Sequence, residues 1–284
     1  MALYNSFGEL VYEVLNAKGD KMKKVDTKEI VRRIKDPSIG GMLYPRVSDI
    51  LAMWNKPSLN KWVKEQGILA ALTTDRLEHE DDVAFMRRLE DDSNEARDKA
   101  AEAGTVIHNY LQQLINNEET EDIISHPYII SSDAYEYLAE YLYKNYDIDI
   151  TLSGCRIETE VPLVNTELGY AGTCDCIINS GTSQPIYLDY KTKNNLANKN
   201  KGDYVFTENG QQLVAYALTR KEFDNAILIN VYIDRETGHT EFHEWVEGNS
   251  KLHGKWRKST QKKLFINALN SYHLMRDIDY SEVF

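Results

Sequence analysis

Cysteine is scarce in this chain: three in 284 residues, Cys155, Cys174 and Cys176. An odd, small number argues against a disulfide framework. It also leaves a four-thiolate iron–sulfur cluster one ligand short, so no such cluster is expected. Cys174 and Cys176 alternate within an apparent strand and are expected to face a core, as free cysteine commonly does. Long apolar runs are missing as well. Nothing approaches the roughly 18 residues needed to span a bilayer. The first fifteen residues carry Glu9 and Glu13 and lack the basic start and cleavage site of a signal peptide. A soluble cytoplasmic protein is the expectation. Positive charge is also short, with 33 Lys and Arg against 45 Asp and Glu and a net charge of −12. A dedicated nucleic-acid binder usually shows the opposite balance.

What positive charge there is comes in islands. The stretch from Lys18 to Lys35 has a basic excess. Lys251 to Lys263 holds six basic residues and no acid, and the loop from Lys191 to Lys201 holds four and no acid. Three islands on an acidic body suit a protein that handles a polyanion along one groove. Each island by itself also suits a solvated helix face.

The length admits a full core with an elaboration. The first half reads as helical: Leu3 to Leu15, Thr27 to Ile34, a helix from Asp49 to Trp54 capped by Ser48, and one after Ser58 as cap. An acidic stretch from Arg76 to Asp98 follows, then a long helix from Asn94 to Asn116 and another from Ser132 to Tyr146. The texture then turns strand-like at Arg156 to Val164, Tyr170 to Ile178 and Pro185 to Lys191. A helix at Glu208 to Lys221, strands at Ala226 to Ile233 and Thr240 to Val246, and a closing helix at Leu264 to Met275 complete the order. This pattern predicts an α/β fold with a mixed sheet flanked by helices. Residues 1–95 would form a helical N-terminal elaboration and 96–284 the core.

Within these elements a few residues stand out. In the strand Ile186-Tyr187-Leu188-Asp189-Tyr190-Lys191, alternation puts Asp189 and Lys191 on one face. The carboxylate can bind a hard cation and the ammonium can orient an attacking water. Asp175 sits between Cys174 and Cys176 and should face away from both. If its strand pairs antiparallel with the next through a turn near Gly181, Asp175 lies across from Asp189. Two such acids are costly together unless a cation holds them. Gly172 would let another group approach the backbone. Gly104 and His108 are four apart on one helix face, with the glycine clearing space beside the imidazole. Gln212 and Tyr216 likewise share a helical stripe and could hydrogen-bond a phosphate or steady Lys191.

Taken in order, Gly104-x-x-x-His108, Gly172-x-x-Asp175, Asp189-x-Lys191 and Gln212-x-x-x-Tyr216 resemble the RecB-like branch of the PD-(D/E)XK nuclease superfamily. The fragments Gly172-Thr173-Cys174-Asp175-Cys176, Asp189-Tyr190-Lys191-Thr192 and Gln212-Leu213-Val214-Ala215-Tyr216 look most like the mitochondrial genome maintenance exonuclease and related phage exonucleases. Upstream, Tyr44-Pro45-Arg46-Val47-Ser48-Asp49-Ile50-Leu51 and Lys56 to Trp62 are similar to that group's N-terminal region. The ordered set carries the resemblance, because unrelated accidents would have to fall in sequence on the right elements.

The resemblance implies a PD-(D/E)XK core and a Mg²⁺- or Mn²⁺-dependent DNA exonuclease that leaves 5′-phosphates and prefers single-stranded ends, in a bacterial or phage-infected cell. It implies His108, Asp175, Asp189 and the Tyr190 carbonyl as metal ligands and Lys191 as the catalytic lysine. Gln212 and Tyr216 would support the site. Of two acids in the preceding strand, Glu158 and Glu160, Glu160 is the better candidate beside the metals. Lys193, Lys199, Lys201 and Arg46 are candidates for contact with DNA. Trp54, Trp62, Tyr204 and Phe206 could stack bases, though core roles suit the tryptophans better. Replication or recombination proteins are expected partners, since no helicase motif is present. A double-strand exonuclease or an endonuclease on the same core is an alternative. A non-catalytic DNA-binding module with a vestigial site is an alternative of another class.

Overall fold

The computed structural model describes residues 3–11, 33, 42–54, 57–119, 124–152, 154–181, 184–247, 251–276 and 278. Short strands β1 (Leu3–Tyr4), β2 (Leu10–Val11) and β3 (Tyr44–Pro45) form a small sheet ordered β2-β1-β3. The helix expected from Leu3 to Leu15 is therefore wrong where the chain is described. Leu3 and Tyr4 are buried and pair on both sides, which overrides the helical spacing of the apolar residues. The expected helix at 27–34 and the basic island at 18–35 lie outside the described residues, Arg33 excepted.

Four helices follow: α1 (Val47–Leu51), α2 (Pro57–Thr73), α3 (Asp82–Ile115) and α4 (His126–Tyr146). Ser48 and Ser58 are not caps but lie inside α1 and α2. Arg46 stands at the cap position of α1, and Pro57 opens α2, where a missing N–H costs nothing. From Asp82 the acidic stretch joins the His108 helix in one continuous 34-residue element, α3, capped by the Asp81 carboxylate on the Ala84 N–H at 2.8 Å, while residues 76–81 lie before the helix. The boundary at 95/96 falls inside it. Helix α4 starts earlier than Ser132, where Ser125 caps it and Pro127 sits in its first turn.

Strands β4 (Arg156–Asn165), β5 (Tyr170–Asn179), β6 (Ile186–Lys193), β7 (Ile227–Asp234) and β8 (Thr240–Glu244) form one sheet in chain order. All neighbours are antiparallel except β6 and β7. A parallel pair needs a crossover. Here α5 (Lys201–Tyr204) and α6 (Thr207–Thr219) supply it, and α7 (Lys258–Arg276) closes the chain. The protein is thus α/β, with a mixed five-stranded sheet flanked by helices.

The sheet has a core on each face. Ile107 and Leu111 of α3 and Ile130 and Leu138 of α4 pack on Leu188, Ile229 and Val231. On the other face Leu213 of α6 and Phe265 and Leu269 of α7 pack with Tyr187, Leu228 and Tyr232. Strand β7 is buried on both faces, which is why its sequence reads as a near-continuous apolar run. Asn230 interrupts that run and is fully buried.

Glycine at 210 is required by this packing. A Cβ there would lie 2.6–2.7 Å from ring atoms of Trp245, a fully buried side chain that follows β8. Neither the helix backbone nor the indole has room to give. Gly210→Ala should therefore destabilise the fold by about 1–3 kcal/mol. Urea unfolding should show a lower midpoint with an unchanged slope, and an unchanged midpoint would refute this packing.

Candidate active site

The site forms where β5 leaves β6. The two strands pair at Ile178↔Ile186, Ile177↔Tyr187 and Cys176↔Leu188 and no further. Beyond Leu188 the Asp175 carboxylate takes over as acceptor, receiving the Tyr190 N–H at 2.6 Å. In extended backbone a residue's N–H and C=O point to the same side. The Tyr190 carbonyl therefore faces this opening too.

The alternation of both neighbouring strands breaks at the same level. In β4, Thr159 pairs with Cys176 and Val161 with Cys174, but Glu160 and Asp175 between them make no ladder pair. Glu160 has a φ of 48°, a left-handed conformation inside a strand. For a side chain other than glycine that costs roughly 1–2 kcal/mol. Thr159 reaches the end of α3, bonding Asn116 at 3.2 Å, whereas Val161 lies in the opposite core. Cys174 and Cys176 are parted in the same way. Both are fully buried, as expected, but in different cores, so Asp175 is not simply on the face opposite to both.

Asp189 is fully buried, on β6. An ionised carboxylate there needs compensation. Lys191 supplies it at 2.7 Å, and the Asn230 amide donates at 2.6 Å. The Asn230 oxygen in turn accepts the Trp245 indole N–H at 2.7 Å. Burial pushes Asp189 up to about 6, with Lys191 opposing and Asp175 adding to the rise. Asp175 is half-buried and is likewise pushed up to about 6 by burial, against the pull of Lys191 and the Tyr190 N–H. The Lys191 ammonium is raised, because the two carboxylates outweigh its desolvation.

His108 approaches from α3. Its ring meets the Tyr190 ring edge-on at 5.7 Å between centroids. Burial and the Lys191 charge push it down to about 4, so the imidazole is neutral near pH 7. Gly104 allows this approach, since a Cβ there would lie 2.8 Å from the Thr192 hydroxyl of β6. On the other side the Gln212 amide donates to the Tyr216 hydroxyl at 2.9 Å. Tyr216 lies against Gly172, where a Cβ would be 2.8 Å from its ring. Burial and both site carboxylates raise the Tyr216 phenol well above its usual range, so it keeps its proton.

The structure thus brings together His108, Asp175, Asp189, the Tyr190 main chain, Lys191, Gln212 and Tyr216. Glu160 is exposed, but its charge raises Asp175, so it stands close. Glu158 is occupied by Arg220 through two bonds of 3.1 Å. Arg46 stands apart. Its charge acts on Asp49, and its main chain bridges Ala171. Lys193 and Lys199 lie beyond Lys191 and interact with each other, whereas Lys201 turns toward the Phe242 carbonyl of β8 at 3.4 Å. Trp54 spends its indole N–H on Gln211 at 2.9 Å and packs on the core. Of the island at 251–263, Lys258 lies at the opposite end of the sheet from Lys191, where it bonds the Ala226 carbonyl just before β7.

Sequence reasoning missed Asn230, Trp245 and Arg235. A polar residue inside the apolar run Ile227-Leu228-Ile229-Asn230-Val231 was the available signal for the first. Arg235 reads only as a turn residue.

Among the described residues, no three His, Cys, Asp or Glu side chains are placed to hold one metal ion. Asp189 is turned onto Lys191 and Asn230, and Asp175 onto the Tyr190 N–H. The donor set itself, two carboxylates, a main-chain carbonyl and a neutral imidazole, suits a hard divalent cation. No known protein family and no curated protein matches the chain. Among solved structures, one titled "Crystal structure of SSO0001" aligns over 75% of this chain and 86% of its own, at 15% identity and a TM-score of 0.31. A likeness that loose carries no argument about fold or function. Among the described residues no helix is long and apolar enough to cross a membrane.

The raised Asp175 fixes a pH dependence. Its carboxyl titrates higher when folded than the ordinary 3.8, so the folded state holds the proton more tightly. Its charge therefore destabilises the fold fully above about pH 6, and that penalty fades as pH falls toward 4. Asp175→Asn should melt at a higher temperature than the parent at pH 7.5 and lose the advantage by pH 4. An equal or lower melting temperature at pH 7.5 would overturn the cause assigned.

Proposed function

We propose that this chain is a metal-dependent deoxyribonuclease of the PD-(D/E)XK type, hydrolysing phosphodiester bonds at single-stranded DNA ends and leaving 5′-phosphates. The observation that carries the reading is the meeting of Asp175, Asp189 and Lys191 where β5 parts from β6, with neutral His108 beside them. The order of the motifs supplies the family. Helical elements before the core would be its N-terminal elaboration, and replication or recombination proteins its partners.

The chain's own groups have definite roles in this reading. Asp175, Asp189, the Tyr190 carbonyl and His108 would hold Mg²⁺ or Mn²⁺, which would supply Lewis-acid stabilisation of charge on the phosphate oxygens. Asn230, fixed by Trp245, keeps the Asp189 carboxylate in place while Lys191 is drawn away from it. Lys191, always charged near pH 7, orients the attacking water and opposes negative charge as it develops. Tyr216 accepts its bond from Gln212, so its own proton is free for a phosphate oxygen. That no three such donors meet around one point among the described residues favours, as a second reading, a DNA-binding module whose site no longer turns over.

End-labelled single- and double-stranded DNA, with circular single strands as control, separates these readings when Mg²⁺ and Mn²⁺ are each supplied. Linear single strands should be degraded and circles spared. Lys191→Ala should lose at least about 100-fold in rate while keeping its metal affinity by calorimetry. Asp175→Asn and Asp189→Asn should both weaken that affinity. No cleavage with either metal would leave the binding module, and cut circles would remove the exonuclease claim.

A further inference from the structure

Four cations gather at the carboxyl end of β6 and β7, and only one of them has an acid in contact. Lys191 is paired with Asp189. Lys193, the last residue of β6, feels the charges of Lys191, Lys199 and Arg235. Among the described residues no carboxylate lies in salt-bridge contact with Lys193, Lys199 or Arg235. The nearest acids are already committed or stand off. Asp234 accepts the backbone N–H groups of Leu196, Glu236 and Thr237 at 2.5, 2.9 and 3.2 Å. Glu236 acts on Arg235 only at a distance.

The cluster is also held in place. Asn194 binds two of its members, its main-chain carbonyl accepting the Lys199 ammonium at 2.7 Å and its side-chain oxygen accepting the Arg235 Nε–H at 2.7 Å. Arg235 Nη1 donates to the Ala100 carbonyl of α3 at 2.6 Å, which leaves Nη2 without a partner among the described residues. Lys193 lies over the Phe206 ring, its Nζ 5.0 Å from the centroid. Burial and the three neighbouring cations push its ammonium down to about 8. Like charges fixed this close together repel one another, and an anion among them would relieve that. All the fixing bonds go to neutral oxygens, so the positive charge is kept rather than cancelled.

We infer that Lys193, Lys199 and Arg235, positioned by Asn194, form a subsite for one backbone phosphate of a polynucleotide next to the phosphate held at Lys191. The inference rests on the DNA reading of the site for the identity of its anion, but not on cleavage. Lys193 and Arg235 make the direct contacts. Asn194 acts through them, and Lys201, turned to β8, takes no part.

Binding of a fluorescein-labelled 12-nucleotide deoxythymidine strand, followed by anisotropy in EDTA across a salt series, tests this without metal. Lys193→Gln with Lys199→Gln should weaken binding about tenfold and lower the slope of log affinity against log salt by about 0.7, the value for one phosphate contact on a single strand. Arg235→Lys, which keeps the charge but not the fork, should weaken binding less. Lys262→Gln with Lys263→Gln, at the far end of the sheet, should change neither quantity. An unaltered affinity and slope in the Lys193/Lys199 variant overturn the subsite, as does a parent protein that does not bind the strand. A parent that binds with the expected slope but never cleaves removes the nuclease reading and leaves the subsite standing.

Discussion

A carboxylate with no exposed surface, in the middle of a five-stranded sheet, is the constraint around which this molecule is arranged. Leaving Asp189 uncompensated would cost on the order of several kcal/mol. Lys191 comes from the same strand, two residues on. Asn230 comes from the parallel neighbour, at the residue directly opposite in register. Their bonds specify that register, since a one-residue slip of β7 would take Asn230 to the wrong face. The Trp245 indole then fixes Asn230, and Gly210 makes room for the indole. The dependence runs from β6 through β7 and past β8 to α6. An acid that only had to be stable would be better replaced by an apolar side chain.

The opening beside Asp189 has a backbone cause. β6 is the strand at which the sheet changes direction, antiparallel to β5 and parallel to β7. The pairing of β5 with β6 stops at Cys176↔Leu188, and at the same level Glu160 takes a left-handed conformation beside Asp175. Strain of that kind persists only where surrounding structure holds it, and it gathers at functional sites. The pairs on either side, Thr159↔Cys176 and Val161↔Cys174, are what hold it. The result is a pair of acids presented from two strands that no longer hydrogen-bond to each other.

The order of elements from Arg156 onward could be read from the sequence, because period-two strands and a long amphipathic helix leave clear patterns. The alternation of Asp189 and Lys191 and the spacing of His108 from Gly104 also translated directly into shared faces. What failed had local reasons. Two-residue strands such as β1 have no period to detect, and their pairing partner β3 is some forty residues away. The parting of Cys174 from Cys176 could not be foreseen, since strict alternation assumes a regular strand and Glu160 gives no hint of its left-handed φ. Arg235 was invisible for a different reason. Its partners, Asn194 and the Ala100 carbonyl, are 41 and 135 residues distant, and a turn sequence does not announce a long-range contact.

Net charge and binding charge are separate quantities in this protein. At physiological salt the Debye length is about 8 Å, so an exposed acid more than that distance away hardly affects a bound phosphate. The balance of −12 therefore weakens distant, non-specific attraction without weakening a contact at Lys193 or Arg235. The placement of the basic groups follows that logic. Lys199 and Arg235 are held by neutral oxygens and Lys193 by the Phe206 ring, and among the described residues none of the three has a carboxylate in contact. Lys258, at the other end, is spent on the Ala226 carbonyl and on the Phe223 ring. Among the described residues, the cations beside Lys191 therefore lie next to the buried Asp189 and the half-buried Asp175, and a phosphate there would meet local positive charge whatever the net balance.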